Sequence, residues 1–479
     1  MKSFLFCLAL AASIFFVSTG LGQQFADGQA ADAVLGQVDF NSSAAGTGAS
    51  QLITPRGVVR DPATGKVFVS DAFNHRILRY PSAAAAGIGQ AAEFVFGQPD
   101  FSSTSANQGM APSATTLSAP SALALDALGR LWVADSSNHR VLCYPSAASV
   151  SSANPAATIV LGQPDFATVS FGITSTKMNL PAGLAVAPGD RLWVLDSQNH
   201  RAIRFEGLSL ITSGAAASGV LGQLNLNSNA VAFANSTTFA GSTGISVDST
   251  GRLWVANFFS NRVLRFDNAA AKSNGAAADG VLGQINFTAD DPAGGAAGLN
   301  SPIGVLALDN GELWVVDRNN HRLLRYENAA AKANGDPADG VLGQPDFTQV
   351  NGSTSAATLN TPRDLAEGPD DGLFAVDELN NRVLRYTRPV PPLPLAPLLS
   401  VLTKNGVSTK AKATVRGTTS GTVTAVKYRV GTKGAFRAAA GTASWSFKAS
   451  LKPGKNKISI FAEGPGGVSA TRLVVLKRK

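Results

Sequence analysis

GRLWVADSSNHRVLCY (129–144) is one of six versions of a single phrase. The others are GKVFVSDAFNHRILRY (65–80), DRLWVLDSQNHRAIRF (190–205), GRLWVANFFSNRVLRF (251–266), GELWVVDRNNHRLLRY (311–326) and DGLFAVDELNNRVLRY (371–386). Successive copies start 60 to 64 residues apart. A fixed period of this size makes each copy one supersecondary unit, which cannot bury its apolar face alone and must stack on its neighbours. The period also sets how polar residues are weighed. Those that recur in every copy hold the unit together, whereas chemistry carried out once needs residues that break the pattern.

Two landmarks frame the phrase. L-x-x-P-x-G and an apolar run precede it, as in LITPRGVVRD (52–61), LSAPSALALD (117–126), LNSPIGVLALD (299–309) and LNTPRDLAEG (359–368). V-L-G-Q-x-D-F occurs as VLGQVDF (34–40), VFGQPDF (95–101), VLGQPDF (160–166), VLGQLNL (220–226), VLGQINF (281–287) and VLGQPDF (341–347). Short apolar runs rich in Val, Leu, Phe and Trp, bounded by Gly, Pro, Asp and Asn, read as strands. Each unit then holds four strands and no amphipathic helix, which excludes alternating parallel α/β units.

Four short antiparallel strands repeated radially describe a β-propeller. The run P-x-G…G-x-L-W-V-A-D-x-x-N-H-R-V-L-R-Y resembles the NHL repeat family over residues from about 34 to 387. The resemblance implies an all-β fold with a six-bladed propeller over residues 23–388. The surplus over the family's usual repeat length sits after L-G-Q-x-D-F and after L-R-Y. The chain has an L-G-Q-x-D-F segment before its first complete unit and none after Tyr386. Val34–Phe40 is therefore expected to supply the outer strand of the last blade, removing the open edges that invite aggregation.

Outside the repeats, MKSFLFCLALAASIFFVSTGLGQ opens the chain with Lys2, an apolar stretch from Phe4 to Val17 and small residues at Ser18–Gly20. This is the layout of a secretory signal peptide over residues 1–22, and the apolar run is shorter than the roughly 18 residues a membrane span needs. The expected location is secreted, periplasmic or at the cell surface, with no transmembrane segment. Cys7 would leave with the signal, so Cys143 stands alone and no disulfide framework forms within the chain. Cys143 occupies the slot of Arg79, Arg204, Arg265, Arg325 and Arg385, and reads as drift at an outward-facing position.

The net charge of +8 hides a division. Residues 396–479 hold 16 Lys and Arg and one acid, Glu463, for +15, and residues 1–395 carry 24 bases and 31 acids, for −7. Two segments of opposite sign are two domains. PVPPLPLAPL (389–398) is a semi-rigid Pro-rich linker. Beyond it, TKAKATVRG, VTAVKYRVG, ASWSFKAS, NKISIFAEG and TRLVVLKRK alternate as short strands. This stretch (399–479) loosely resembles the immunoglobulin-like β-sandwiches of secreted bacterial proteins, with Trp445, Phe447, Tyr428 and Ile460 as core. Alternation turns Lys427, Arg429, Lys448 and Lys457 outward, and their charge should attract polyanions. In an exported protein these are anionic polysaccharide or envelope surfaces rather than nucleic acid.

The four histidines, His75, His139, His200 and His321, share one slot, filled by Asn261 and Asn381 in the other two copies. Equivalent positions on separate blades lie far apart, so these read as hydrogen-bonding groups between blades, and no metal or cofactor is expected. Each Asp of the phrase precedes its Arg by five residues and can clamp the turn with charge-assisted hydrogen bonds. The tryptophans at one strand position read as packing between blades. Between the repeated Asp and Asn lie two free positions per copy, which include Phe73, Phe258, Phe259, Arg318 and Leu379. Aromatic groups with an Arg nearby at turn tips suit protein or glycan contact; the alternative is that they fold back under the long loops.

The sequence carries no G-x-S-x-G, H-E-x-x-H, P-loop or dinucleotide fingerprint. The expected function is an exported, non-catalytic, monomeric interaction protein. Its propeller loops would recognise a protein or glycan, and its basic domain would bind an anionic surface. Propellers related to this family include a peptide-amidating lyase and lactone hydrolases, so the resemblance leaves a metal-dependent enzyme as the alternative.

Overall fold

Six four-stranded antiparallel sheets are present among the residues described by the computed structural model, which are 24–82, 87–389 and 395–479. The expected signal peptide and residues 390–394 of the expected linker lie outside them. Blade 1 runs from the axis outward as Pro55–Arg60, Lys66–Asp71, Arg76–Ser82 and Phe94–Phe96, and blades 2 to 5 repeat this order. Blade 6 takes three strands from Pro362–Glu367, Leu373–Asp377 and Arg382–Tyr386, and its outer strand is Ala33–Leu35, paired through Val34↔Leu384. The closing strand is shorter than the expected 34–40. Gly36 adopts φ +86, and the L-G-Q glycine does the same in every unit (φ +82 to +86), which turns the chain out of the sheet as a side-chain-bearing residue rarely can.

The large side chain at the middle of each second strand seals one blade against the next. Trp132 of blade 2 is buried among Leu184, Leu192 and Val194 of blade 3. Trp193, Trp254 and Trp314 repeat the contact onto blades 4, 5 and 6. Phe68 does so onto blade 2, and Phe374 closes the ring onto blade 1. Truncating one such side chain to Ala would cost about 3–5 kcal/mol. Cys143 lies within one of these seams, and the expectation that it faces outward fails: it is fully buried, and burial pushes its thiol up to about 12. The strand it sits on is covered by the next blade. Arg79 and Arg204, in the same slot of blades 1 and 3, reach across their own seams to the carbonyls of Ala147 and Ala270, at 2.7 and 2.6 Å.

The chain divides into two compact units, one of them Gln23–Pro389, and the C-terminal unit is a β-sandwich. One sheet contains Leu398–Val401, Lys412–Ser420 and Ser444–Ser450. The other is built on Gly454–Gly464, flanked by Ala425–Val430 and Arg472–Arg478, with Gly406–Ser408 parallel to the last. Strict alternation along Ser444–Ser450 sends Trp445, Phe447 and Ala449 inward, where they meet Val415, Ile458, Ile460 and Val474. Tyr428 packs on this core only partly buried, its ring stacked on Phe447 at 3.5 Å.

Candidate functional site

The repeated polar residues form the frame around any site. In five blades the Arg Nε donates to the Asp Oδ2 at 2.7–2.8 Å, with both side chains fully buried. Burial pushes each carboxyl up, and the guanidinium, the turn Asn amide and a backbone N–H pull it back down. The rest of each guanidinium holds the long loops. Arg76, for example, donates to the carbonyls of Thr47 at 2.7 Å and Gly48 at 3.0 Å. The histidines all sit at φ 53; three of them bond to the next blade, whereas the buried Nδ1 of His200 has no hydrogen-bond partner among the described residues. Nδ1 of His75, His139 and His321 accepts the backbone N–H of Ala119, Leu180 and Thr361 at 2.9, 3.1 and 2.9 Å. Asn381 Oδ1 accepts from Thr54 at 2.8 Å in the same way, so imidazole and amide are interchangeable there.

What breaks the pattern gathers on the turn face. Of the turn-tip residues, Phe73, Phe259 and Leu379 are exposed. Phe258 is half-buried, folded back against the cluster around Trp314 with its ring edge-on to Phe259. Arg318 points at blade 6, where its Nη2 donates to Glu378 Oε2 at 2.6 Å. Glu378 is buried, and its other oxygen lies 3.3 Å from Arg363 Nη1 and 3.9 Å from Arg56 Nε. Arg56 in turn lies 5.5 Å from the centre of the Phe73 ring.

Arg56 and Arg363 stand on the innermost strands, at the mouth of an axial channel of about 370 Å3. The equivalent positions of the other blades are Ser121, Ala182, Thr243 and Ile303. The mouth is therefore cationic on the side of blades 6 and 1 and small or apolar elsewhere. Burial, followed by repulsion from Arg363, pushes Arg56 down to about 10. Asp364, next along the strand, replaces the glycine of P-x-G; it accepts the Val58 N–H at 3.1 Å, and burial pushes it up to about 7.

The sequence reading placed Arg318 and the aromatic tips on this face but missed Arg56, Arg363, Asp364 and Glu378. The signal was present: PRG and PRD put arginine where the other copies have small or apolar residues, and only PRD breaks the glycine of P-x-G with a charge.

In the C-terminal unit a groove of about 600 Å3 runs between the two sheets. Its walls carry Arg429, Lys433, Arg437, Lys448, Lys455 and Lys457. Three of the four cations singled out by alternation thus share one groove. Lys427 instead pairs with Glu463, the single acid of residues 396–479, at 2.8 Å. Tyr428 lines the groove floor, and the Arg429 guanidinium lies 4.4 Å from the centre of the Phe436 ring. No helix of the described residues is long and apolar enough to cross a membrane.

The family model described as the teneurin NHL domain matches residues 56–325. Among solved structures, the chain is similar to a streptogramin B lyase at 17% identity, covering 72% of this chain and 95% of that one, with a TM-score of 0.39. It is similar to a protein of unknown function from Bacteroides thetaiotaomicron at 13% identity, covering 74% and 75%, with a TM-score of 0.44. A gluconolactonase from Xanthomonas campestris gives 14% identity, 75% and 99% coverage and a TM-score of 0.39. No curated protein matches the chain.

Proposed function

The chain belongs to the teneurin NHL domain family, and from that premise we propose that it is an exported, non-catalytic interaction protein. The propeller displays a recognition face at its turns, and the C-terminal unit attaches the protein to anionic polymers. The observation that carries this reading is the groove whose walls bear Arg429, Lys433, Arg437, Lys448, Lys455 and Lys457 in a unit whose only acid is neutralised by Lys427. A row of uncompensated cations along a concave wall focuses positive potential where an extended polyanion can lie. Alternation keeps Lys448 and Lys457 exposed while their neighbours Phe447, Ala449 and Ile458 fill the core, so the charge costs the fold little. The apolar segment Phe4–Val17 supports export, which puts acidic polysaccharide within reach.

The test is binding of the full-length protein to immobilised polygalacturonate across a salt series. Binding should weaken steeply as the Debye length falls from about 10 Å at 0.1 M to about 3 Å at 1 M. The double variant Lys448→Glu, Lys457→Glu lowers the charge of residues 396–479 from +15 to +11 and should bind more weakly at every salt concentration without unfolding. Binding that survives 1 M salt, or that the double variant leaves unchanged, would remove the groove from the function.

A further inference from the structure

We propose that the channel mouth on the turn face of the propeller is a binding site for a carboxylate, gripped by Arg56, Arg318 and Arg363. This deepens the recognition role given above to the turn face and rests on it only for the choice of face; the basic groove plays no part.

The argument starts from donors and acceptors. Each guanidinium carries five N–H donors in a planar fork. Three of them surround one carboxylate, Glu378, whose contacts are 2.6 Å to Arg318, 3.3 Å to Arg363 and 3.9 Å to Arg56. The last is too long for a hydrogen bond. The Nε atoms of Arg56 and Arg318 are buried and have no hydrogen-bond partner. Buried donors left unmatched are costly, and like charges held together at a half-buried site add to that cost. An anion seated between the guanidinium groups relieves both.

Charge and shape then select the anion. Three cations against Glu378 and Asp364 leave a single positive charge above about pH 7, where Asp364, pushed up to about 7 by burial, is ionised. A monoanion matches this, while a dianion would face two carboxylates at short range. A carboxylate also matches the guanidinium fork in a bidentate, planar arrangement. Two places can receive the body of the ligand. The Phe73 ring beside Arg56 offers an exposed flat face that suits a sugar ring. Below the mouth, the channel is lined by Val58, Leu123, Leu184, Ile245, Val305 and Leu365, which suit an aliphatic chain. No other blade pair repeats the arrangement, because Ser121, Ala182, Thr243 and Ile303 bring no charge.

The experiment is isothermal titration calorimetry of the full-length protein at about pH 8 and low salt, where Asp364 is ionised, with glucuronate, hexanoate, inorganic phosphate and glucose as separate probes. At least one carboxylate should bind with one-to-one stoichiometry. Arg56→Gln and Arg363→Gln should each weaken it about tenfold or more, the effect of removing one charge-assisted contact. Glucuronate as the tighter ligand assigns the body to the Phe73 face, and hexanoate assigns it to the channel. If Arg363→Gln lowers the melting temperature, Arg318→Gln on the turn gives the same comparison. The groove variant Lys448→Glu, Lys457→Glu should leave the affinity unchanged, so failure of the groove reading and failure of this one are distinguishable. The proposal is overturned if no carboxylate binds up to about 10 mM. It is equally overturned if phosphate binds in preference, if glucose binds as well as glucuronate, or if the arginine variants bind like the native protein.

Discussion

Blade 4 lacks the carboxylate that its five neighbours place under the turn, and restoring it should stabilise the protein. Asn257 stands where the others have Asp, and Ser260 where they have the Asn that donates to Asp Oδ2 at 2.7–2.8 Å. Arg262 is nevertheless fully buried. Its Nη2 donates to the carbonyls of Asn235 at 2.8 Å and Thr238 at 3.3 Å and its Nη1 to that of Phe287, but its Nε has no partner, and burial pushes it down to about 10. Asn257 keeps half of the aspartate's task, since its Oδ1 accepts the Ala240 N–H at 2.9 Å. Its Nδ2, donating to Thr238 at 3.0 Å, occupies the place from which Oδ2 would reach Arg262.

Asn257→Asp therefore exchanges one neutral hydrogen bond for a charge-assisted one worth about 1.5–3 kcal/mol, and Thr238 keeps Arg262 as a donor. Against this stands the desolvation of a second ion, several kcal/mol in an unprepared interior. Here much of it is offset, because the cation is already buried and the Ala240 N–H is already aimed at the carboxylate. Without the turn amide, Asn257→Asp alone should gain about 1 kcal/mol, and the double variant with Ser260→Asn about 2 kcal/mol. For a unit of this size that corresponds to a rise in melting temperature of about 2–4 °C. The reverse change in blade 2, Asp135→Asn, strands Arg140 and should cost about 3–5 kcal/mol. Differential scanning calorimetry of the three variants decides the matter. If the double variant melts at or below the native protein while Asp135→Asn is silent, the buried pairs do not hold the turns and the account is wrong.

Two further changes probe single residues. His139→Asn should alter stability by less than about 0.5 kcal/mol, because Asn tolerates φ near 53 and, as Asn381 does for Thr54, can accept the Leu180 N–H. A thermal shift beyond that would give His139 a role outside the blade contact. Asp364, raised from 3.8 to about 7 by burial, favours folding in its neutral form. Its contribution is complete below about pH 4 and is lost as pH rises through about 7. Arg363 and the Val58 N–H pull in the opposite direction. Asp364→Asn should flatten the fall in melting temperature between about pH 4 and about pH 7, and parallel profiles would show that this carboxyl does not titrate there.

The period, the strand runs and the order of landmarks were sufficient to read the blades and the closure of the ring, because each is a local pattern repeated six times. Local patterns also explain the misreadings. Cys143 looked outward because its neighbours in the slot are arginines, yet a strand inside a propeller is covered on both faces, and Arg79, Arg204 and Arg265 are themselves laid across their seams. Phe258 and Phe259 are adjacent in sequence and equal in chemistry. Only the packing around Trp314 separates the one folded inward from the one left exposed. Lys427 looked as free as Lys448 until the antiparallel register brought Glu463 alongside it. The channel-mouth cluster needs Arg56 and Arg363 together, and no local window contains both blades of the closing seam.

That seam is also where the asymmetry of the axis originates. In blades 1, 3 and 4 the glycine of the inner strand lets the next blade come so close that an added Cβ would lie 2.4 Å from the carbonyl of Ser121, Thr243 or Ile303. Such an approach admits no side chain without a shift. Asp364 holds the equivalent place between blades 6 and 1, where its carboxylate accepts the Val58 N–H of the facing strand. That carboxylate lies beside the arginine that charges the mouth, and Arg56 arrives from the opposite side of the same junction. A ring of equivalent blades acquires a single directional site on its axis only by breaking its repeat. In this chain the break falls at the one junction that the first and last blades already had to form in a different way.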